Sequence, residues 1–211
     1  LKAMDNHDQE NLIFSFWPDT ILIKEIGRPM DIAEYLGLDR NELTARVIMV
    51  QGGQTPGFDT DLYQCYPFFL QGYGTTANGE NTMAAANRNY LTTRGFPGYN
   101  GYKVDFEIST HTLHFATETL GLGVRAFKHI ISPLSEEMLQ SHPDADLLRQ
   151  LKYPCRHLLI DGPTCIVGCM PDCTVFMLHG RYKLCPGIVG RDNGTFAVAS
   201  DVCGLDAVMP D

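Results

Sequence analysis

Residues 66–74, YPFFLQGYG, run into 75–82, TTANGENT, and then into 83–95, MAAANRNYLTTRG. The Asn78-Gly79 pair at the centre decides how the chain folds here. Asn-Gly between two alternating apolar runs is the strongest short-range sign of a β-hairpin. Only the upstream side reads as strand. Downstream, Ala84, Ala85, Ala86, Tyr90 and Leu91 read as a helix that stops at Gly95. Asn78 and Gly79 therefore close a strand and lead into a helix, where backbone N–H groups stand unpaired and can receive an anion. Taken alone, the stretch needs nothing more than a plain β-to-α turn.

Upstream of it, NLIFSFW (11–17) and TILIKEI (20–26) flank Pro18-Asp19 and read as a hairpin. GRPMDIAEYLGL (27–38) puts Pro29 in the first turn of a short helix and Gly37 just past its end. RVIMV (46–50) is a continuous apolar run of the kind that forms a buried strand. It enters Gly52-Gly53 and a long irregular stretch to Pro67, a length usually tied to function or mobility. Downstream, a Gly-rich bend (95–102) precedes a helix opened by Asp105 and running to about Leu120. RAFKHII (125–131) is a further helix, and another runs from Ser135 to Leu151, with Glu136 and Glu137 suited to its first turn. The last third reads as strand throughout: RHLLID (156–161), TCIVGC (164–169), TVFML (174–178), CPGIVG (185–190) and TFAVAS (195–200). Strands, then helices, then strands is the segregated α+β order, not alternating βαβ.

Composition narrows the functional classes. With 211 residues, 44% of them hydrophobic, the chain can bury one well-packed core or two small ones. No repeat or linker divides it, so residues 1–211 read as a single domain. A net charge of −9, with Lys and Arg scattered singly, argues against nucleic acid or an anionic membrane as partner. No apolar run approaches the ~18 residues of a membrane span. The start, LKAMDNHDQEN, lacks the basic-then-apolar layout of a signal peptide. Seven cysteines, an odd number, favour free thiols in a reducing compartment, which points to the cytoplasm.

Single features carry little chemistry. Cys165, Cys169 and Cys173 recur every four residues, yet Pro171-Asp172 turns the chain between the last two, so they read as small core residues with no metal. His111 and His114 lie one turn apart on a helix and read as a half-buried, hydrogen-bonded pair. There is neither a phosphate-binding Gly loop nor a GxSxG elbow.

The order of features says more. Asn78-Gly79-Glu80 is followed by a helix ending at Gly95, then Asp105-x-Glu107-Ile108, then DGPTCIVG (161–168) and FAVASDVCGLD (196–206). In this order the chain resembles the glutaminase domain of class II glutamine amidotransferases, in its glutamate-synthase-like branch. That family carries a His-Asn-Gly-Glu turn, a Ser/Thr-Asp-x-Glu helix start, an Asp-Gly-Pro strand and an Ala-Ser-Glu near the end. IKEIGRPMDIAEYLGL (23–38) is similar to the segment before its first active-site strand, and RAFKHIISPLSEEML (125–139) to its middle helices. The resemblance covers nearly the whole chain.

It implies the four-layer αββα sandwich of N-terminal-nucleophile hydrolases and release of ammonia from glutamine for a synthase-like partner subunit or domain, with no metal and no cofactor. The thiolate of a first-residue cysteine attacks the side-chain amide, its own α-amine serving as base. By resemblance, Asn78 and Gly79 form the oxyanion hole, and Asp105 receives the substrate ammonium. Gly53 and Gln54 lie where the family ends a strand in His-Thr-Arg, whose Arg holds the substrate carboxylate bidentately. Here Gln54 takes that place, Ala77 replaces the His, and Ala199-Ser200-Asp201 replaces Ala-Ser-Glu. Residue 1 is Leu and the first cysteine is Cys65. The expectation is therefore a glutaminase domain lacking its N-terminal strand and nucleophile segment, or a degenerate one. The alternative is a catalytically inactive glutaminase-fold subunit with an assembly or regulatory role.

Overall fold

The computed structural model describes residues 15–40, 42, 44–52, 65–95 and 104–210. Pro29 and Gly37 punctuate the first helix as their backbone preferences require. Helix α1 (Pro29–Leu36) has Pro at its first turn, and Gly37, at φ 62, closes it in the left-handed conformation. The hairpin expected around Pro18-Asp19 is reduced to a turn. Residues 20–26 form no strand, and the upstream arm lies largely outside the described residues.

RVIMV is a correction. Residues 46–50 form no strand, and Ile48 and Val50 are 79% and 76% exposed. A continuous apolar run becomes a buried strand only where neighbouring strands complete its ladder, and none among the described residues does so.

The main sheet has the order β1 (Phe68–Leu70), β2 (Tyr73–Gly79), β3 (Thr164–Cys169), β4 (Val175–His179), with every pair antiparallel. A second, two-stranded sheet joins β5 (Ile188–Asp192) to β6 (Thr195–Ala199). The chain is thus α+β with two antiparallel sheets. The helices fall almost entirely between β2 and β3: α2 (Ala84–Thr93), α3 (Glu107–His114) with a π-helical continuation to Thr119, α4 (Val124–Ile131), α5 (Glu136–Gln140) and α6 (Ala145–Lys152). A last helix, α7 (Val202–Val208), follows β6. The single helix expected over 135–151 is two. Pro143 disfavours helical backbone at His142, so α5 ends at Gln140, after an N-cap in which Ser135 accepts from the Met138 N–H. RHLLID is not strand either. It makes a 3₁₀ turn (Arg156–Leu158) that buries Leu158 completely.

Side-chain alternation gives the main sheet two different faces. Tyr73, Thr75 and Ala77 share one face with Ile166 and Gly168, and with Phe176 and Leu178 across the register. Helices α3 and α4 cover this face, burying Phe106, Leu113, Phe127 and Ile130 against it, with Phe127 edge-to-face on Phe176 at 6.1 Å. Each such ring contributes roughly 1.5–3 kcal/mol by leaving water. The other face carries Thr76 and Asn78, then Cys165 and Val167, then Met177 and His179. It is only partly covered: Thr76 hydrogen-bonds Gln51, and Gly187, just ahead of β5, sits against Met177, His179 and Cys165. No helix of the described residues is long and apolar enough to cross a membrane.

Candidate active site

Strand β2 ends where it does because the chain beyond it is sewn to a segment some eighty residues later. The Glu80 N–H donates to the Pro163 carbonyl (2.9 Å), and the Thr82 N–H and hydroxyl both donate to the Asp161 carbonyl (2.9 and 3.0 Å). Two glycines permit this approach. At Gly79 (φ 133) a Cβ would overlap the Pro163 carbonyl oxygen and lie 2.7 Å from its carbon. At Gly162 (φ 133) it would overlap the Glu80 carbonyl oxygen. Both conformations belong to glycine. The Asn-Gly-Glu turn and the Asp-Gly-Pro strand, far apart in sequence, thus form one interlocked unit.

Asp105 joins them. Helix α3 starts at Glu107 rather than at Asp105, and the Asp105 carboxylate turns back to accept the Asn81 N–H at 2.7 Å. The half-buried Tyr66 hydroxyl lies close enough to feel its charge. Burial pushes the Asp105 pKa upward, aided by the Glu80 charge and opposed by the N–H groups of Asn81, Phe106 and Asp105 itself. Burial first, and then the Asp105 charge, pushes the Tyr66 hydroxyl up as well.

Beneath the turn lies a polar core that the sequence reading missed. The Asn81 side chain accepts from the Met83 N–H (3.0 Å) and donates to the side-chain oxygen of the fully buried Asn87 (3.0 Å). Asn87 donates in turn to the carbonyls of His157 (2.7 Å) and Leu159 (2.9 Å). A buried asparagine persists only when its amide is satisfied, and this one is. The available signal was faint: an Asn on the core-facing side of a predicted helix.

The register bears on the oxyanion assignment. Hydrogen-bonded and non-hydrogen-bonded pairs alternate along an antiparallel ladder. Glu80 bonds Pro163 opposite it, so Gly79–Thr164 is a non-bonded pair and the Gly79 N–H faces away from β3. On that side β1 reaches only as far as Thr75. Asn78 is exposed, on the opposite sheet face from Ala77. Gly53 and Gln54 lie outside the described residues, while Gly52 is among them and has open space around its Cα. The structure therefore brings Gly79 and Asp105 to the same turn.

On β3, Cys165 stands beside Asn78 on one side and His179 on the other. A methyl built on Gly187 would touch both His179 Cε1 (2.8 Å) and Cys165 Sγ (3.0 Å). This is not an activated thiol. Cys165 is buried, and burial and then neighbouring Cys185 raise its pKa. The described cysteines are all free, as expected, and no metal-binding cluster occurs among the described residues.

Glu107 and His111 form a second buried polar pair on α3, 3.2 Å apart and nearly without exposure. His114 Nε2 meets Gln71 Oε1 at 2.7 Å. Both histidines are thus hydrogen-bonded helix residues, as expected, but only His114 is half-buried and His111 is fully buried. No protein-family model, curated relative or solved structure matches the chain.

Proposed function

We propose that the chain carries a glutaminase-type site of the class II amidotransferase kind on a four-layer αββα fold. In this reading Asp105 holds the substrate ammonium, while Asn78 and the Gly79 N–H hold the amide oxygen as it becomes an oxyanion. The carrying observation is the Asp105 carboxylate locked 2.7 Å from the Asn81 N–H, two residues past Gly79, on a turn closed by Asp161-Gly162-Pro163. Three separated motifs behind the resemblance meet at one place, which supports the reading beyond their order alone. The outward-facing Gly79 N–H is a further support.

The substrate carboxylate is the weak end. Gln54 can donate neutral hydrogen bonds but no charge, and losing a charge-assisted clamp costs about 2–5 kcal/mol. That is roughly thirty-fold to several thousand-fold in affinity. The same deficit favours the second reading, an inactive glutaminase-fold subunit with an assembly or regulatory role beside a synthase-like partner.

Calorimetry with millimolar glutamine, paired with an ammonia-release assay, tests both readings. The 211-residue chain should release no ammonia, because Cys165, the thiol paired beside Asn78, is buried and burial raises its pKa. Gln54→Arg should tighten glutamine binding at least thirty-fold, and Asp105→Asn in that background should abolish the gain. Unchanged binding on Gln54→Arg removes the site assignment. Ammonia release would instead select the enzyme over the inactive subunit.

A further inference from the structure

A cavity of about 210 Å³ opens between the end of α4, the Pro133–Ser135 turn, the segment following α6 and the loop after β4. Its floor is apolar: Ile130 is almost fully buried, and Leu134 and Leu159 are half-buried. Its rim carries three cations, Lys152 and Arg156 from one segment and Arg181 from the loop after β4. In a chain of net charge −9, with only sixteen Lys and Arg in all, such convergence is not a default of composition.

Among the described residues little neutralises these charges. Arg156 donates to the Tyr153 carbonyl (2.9 Å) and lies over the Tyr153 ring, and Arg181 lies over the Tyr182 ring. Neither has an ion-pair partner among the described residues. Lys152 has only a loose contact, 3.9 Å from Glu136, whose carboxylate is already committed to Arg149 at 2.7 Å.

We propose that this cavity binds a small organic dianion, its paired negative charges on Lys152, Arg156 and Arg181 and its short apolar body on Ile130, Leu134 and Leu159. Guanidinium groups present planar pairs of donors that match phosphate and carboxylate alike. A phosphate monoester and a dicarboxylate share the required chemistry. The cavity falls below the ~300 Å³ at which sites for drug-sized ligands begin, which selects a small metabolite over a nucleotide. It shares no residue with the Asn78–Asp105 site, so the two proposals stand or fall separately.

The test is isothermal titration of the whole 211-residue chain, at fixed ionic strength, with phenyl phosphate, phthalate and inorganic phosphate. Phenyl phosphate, phthalate or both should bind saturably at one site and more tightly than inorganic phosphate. Binding of only one identifies the head group as ester or dicarboxylate, and either result supports the proposal. Arg156→Gln and Arg181→Gln should each weaken binding about tenfold or more, the size of one lost charge-assisted bond. Arg191→Gln, an exposed cation on β5, should leave it unchanged. All three positions are exposed, and unaltered melting temperatures would confirm intact folding. The proposal is overturned by no saturation up to ~10 mM, by equal weakening in Arg191→Gln, or by inorganic phosphate binding as well as phenyl phosphate.

Discussion

Replacing Gly79 by Ala should be among the most damaging single changes in the chain. Two costs add. The backbone sits at φ 133, a region that costs a residue with a Cβ about 1–3 kcal/mol. The new methyl would also overlap the Pro163 carbonyl, forcing β2 and the Asp161–Pro163 segment apart and breaking the 2.9 Å Glu80–Pro163 hydrogen bond. Losing that hydrogen bond, between two exposed residues, costs about 0.5–1.5 kcal/mol more. The sum, roughly 1.5–4.5 kcal/mol, is a substantial part of the ~5–15 kcal/mol that holds a domain together. It corresponds to a fall in Tm of roughly 3–18 °C for a chain of this size. Urea and thermal denaturation followed by circular dichroism would measure it. Gly95→Ala is the control, since Gly95 also has positive φ (70) but open space around it, and should lose only the strain component. Gly162→Ala attacks the same junction from the other side, so the double variant should cost less than the two single changes added. A Gly79→Ala variant no less stable than Gly95→Ala would refute the interlock.

Asn87→Leu should cost about 2–5 kcal/mol in the same assay, because it strands the Asn81 amide and removes the donor to the His157 and Leu159 carbonyls; a neutral effect would mean the network is ornamental. Burial holds the His114 and His129 pKa values below the ordinary histidine range. The unfolded chain then takes up these protons first, so stability is intact above about pH 6.5 and falls as pH drops through it. Denaturation midpoints from pH 8 to 5 should show this slope, and His114→Gln should flatten it. Thiol-reagent kinetics in native buffer should find Cys173 and Cys203 fast and Cys169 slow, since the first two are exposed and burial pushes the Cys169 thiol up to about 11; rapid labelling of Cys169 would contradict its burial.

What could be read in advance was local. Pro29 and Gly37 bracket a helix because each is restricted to a backbone geometry found at that end. The short apolar runs TCIVGC and TVFML, bounded by Gly, Pro and Asp turns, form strands β3 and β4. The antiparallel α+β class followed from the segregation of these elements. What could not be read depended on distant partners. RVIMV has the composition of a core strand but no described neighbour to pair with, and RHLLID buries Leu158 through a 3₁₀ turn that an apolar run cannot distinguish from strand. At the site, the sequence nominated Asn78, Gly79 and Asp105 without any means of showing that Asp105 bonds the turn itself. Asn87, which fixes that geometry, has no sequence signature because the carbonyls it bonds lie some seventy residues away.

The same separation has a consequence for synthesis on the ribosome. Residues 79–82 leave the exit tunnel about eighty residues ahead of the Asp161–Pro163 carbonyls that close their turn. At ~5–20 residues per second, that is a wait of roughly 4–16 seconds. During it β2 has no β3 to lie against and Asn81 has no anchored Asn87 beneath it, so the candidate site cannot exist in a nascent chain that holds only the helical middle. It is completed by the strands that arrive last, and an arrest or cleavage anywhere before residue 163 would leave folded helices without a turn for Asp105 to hold.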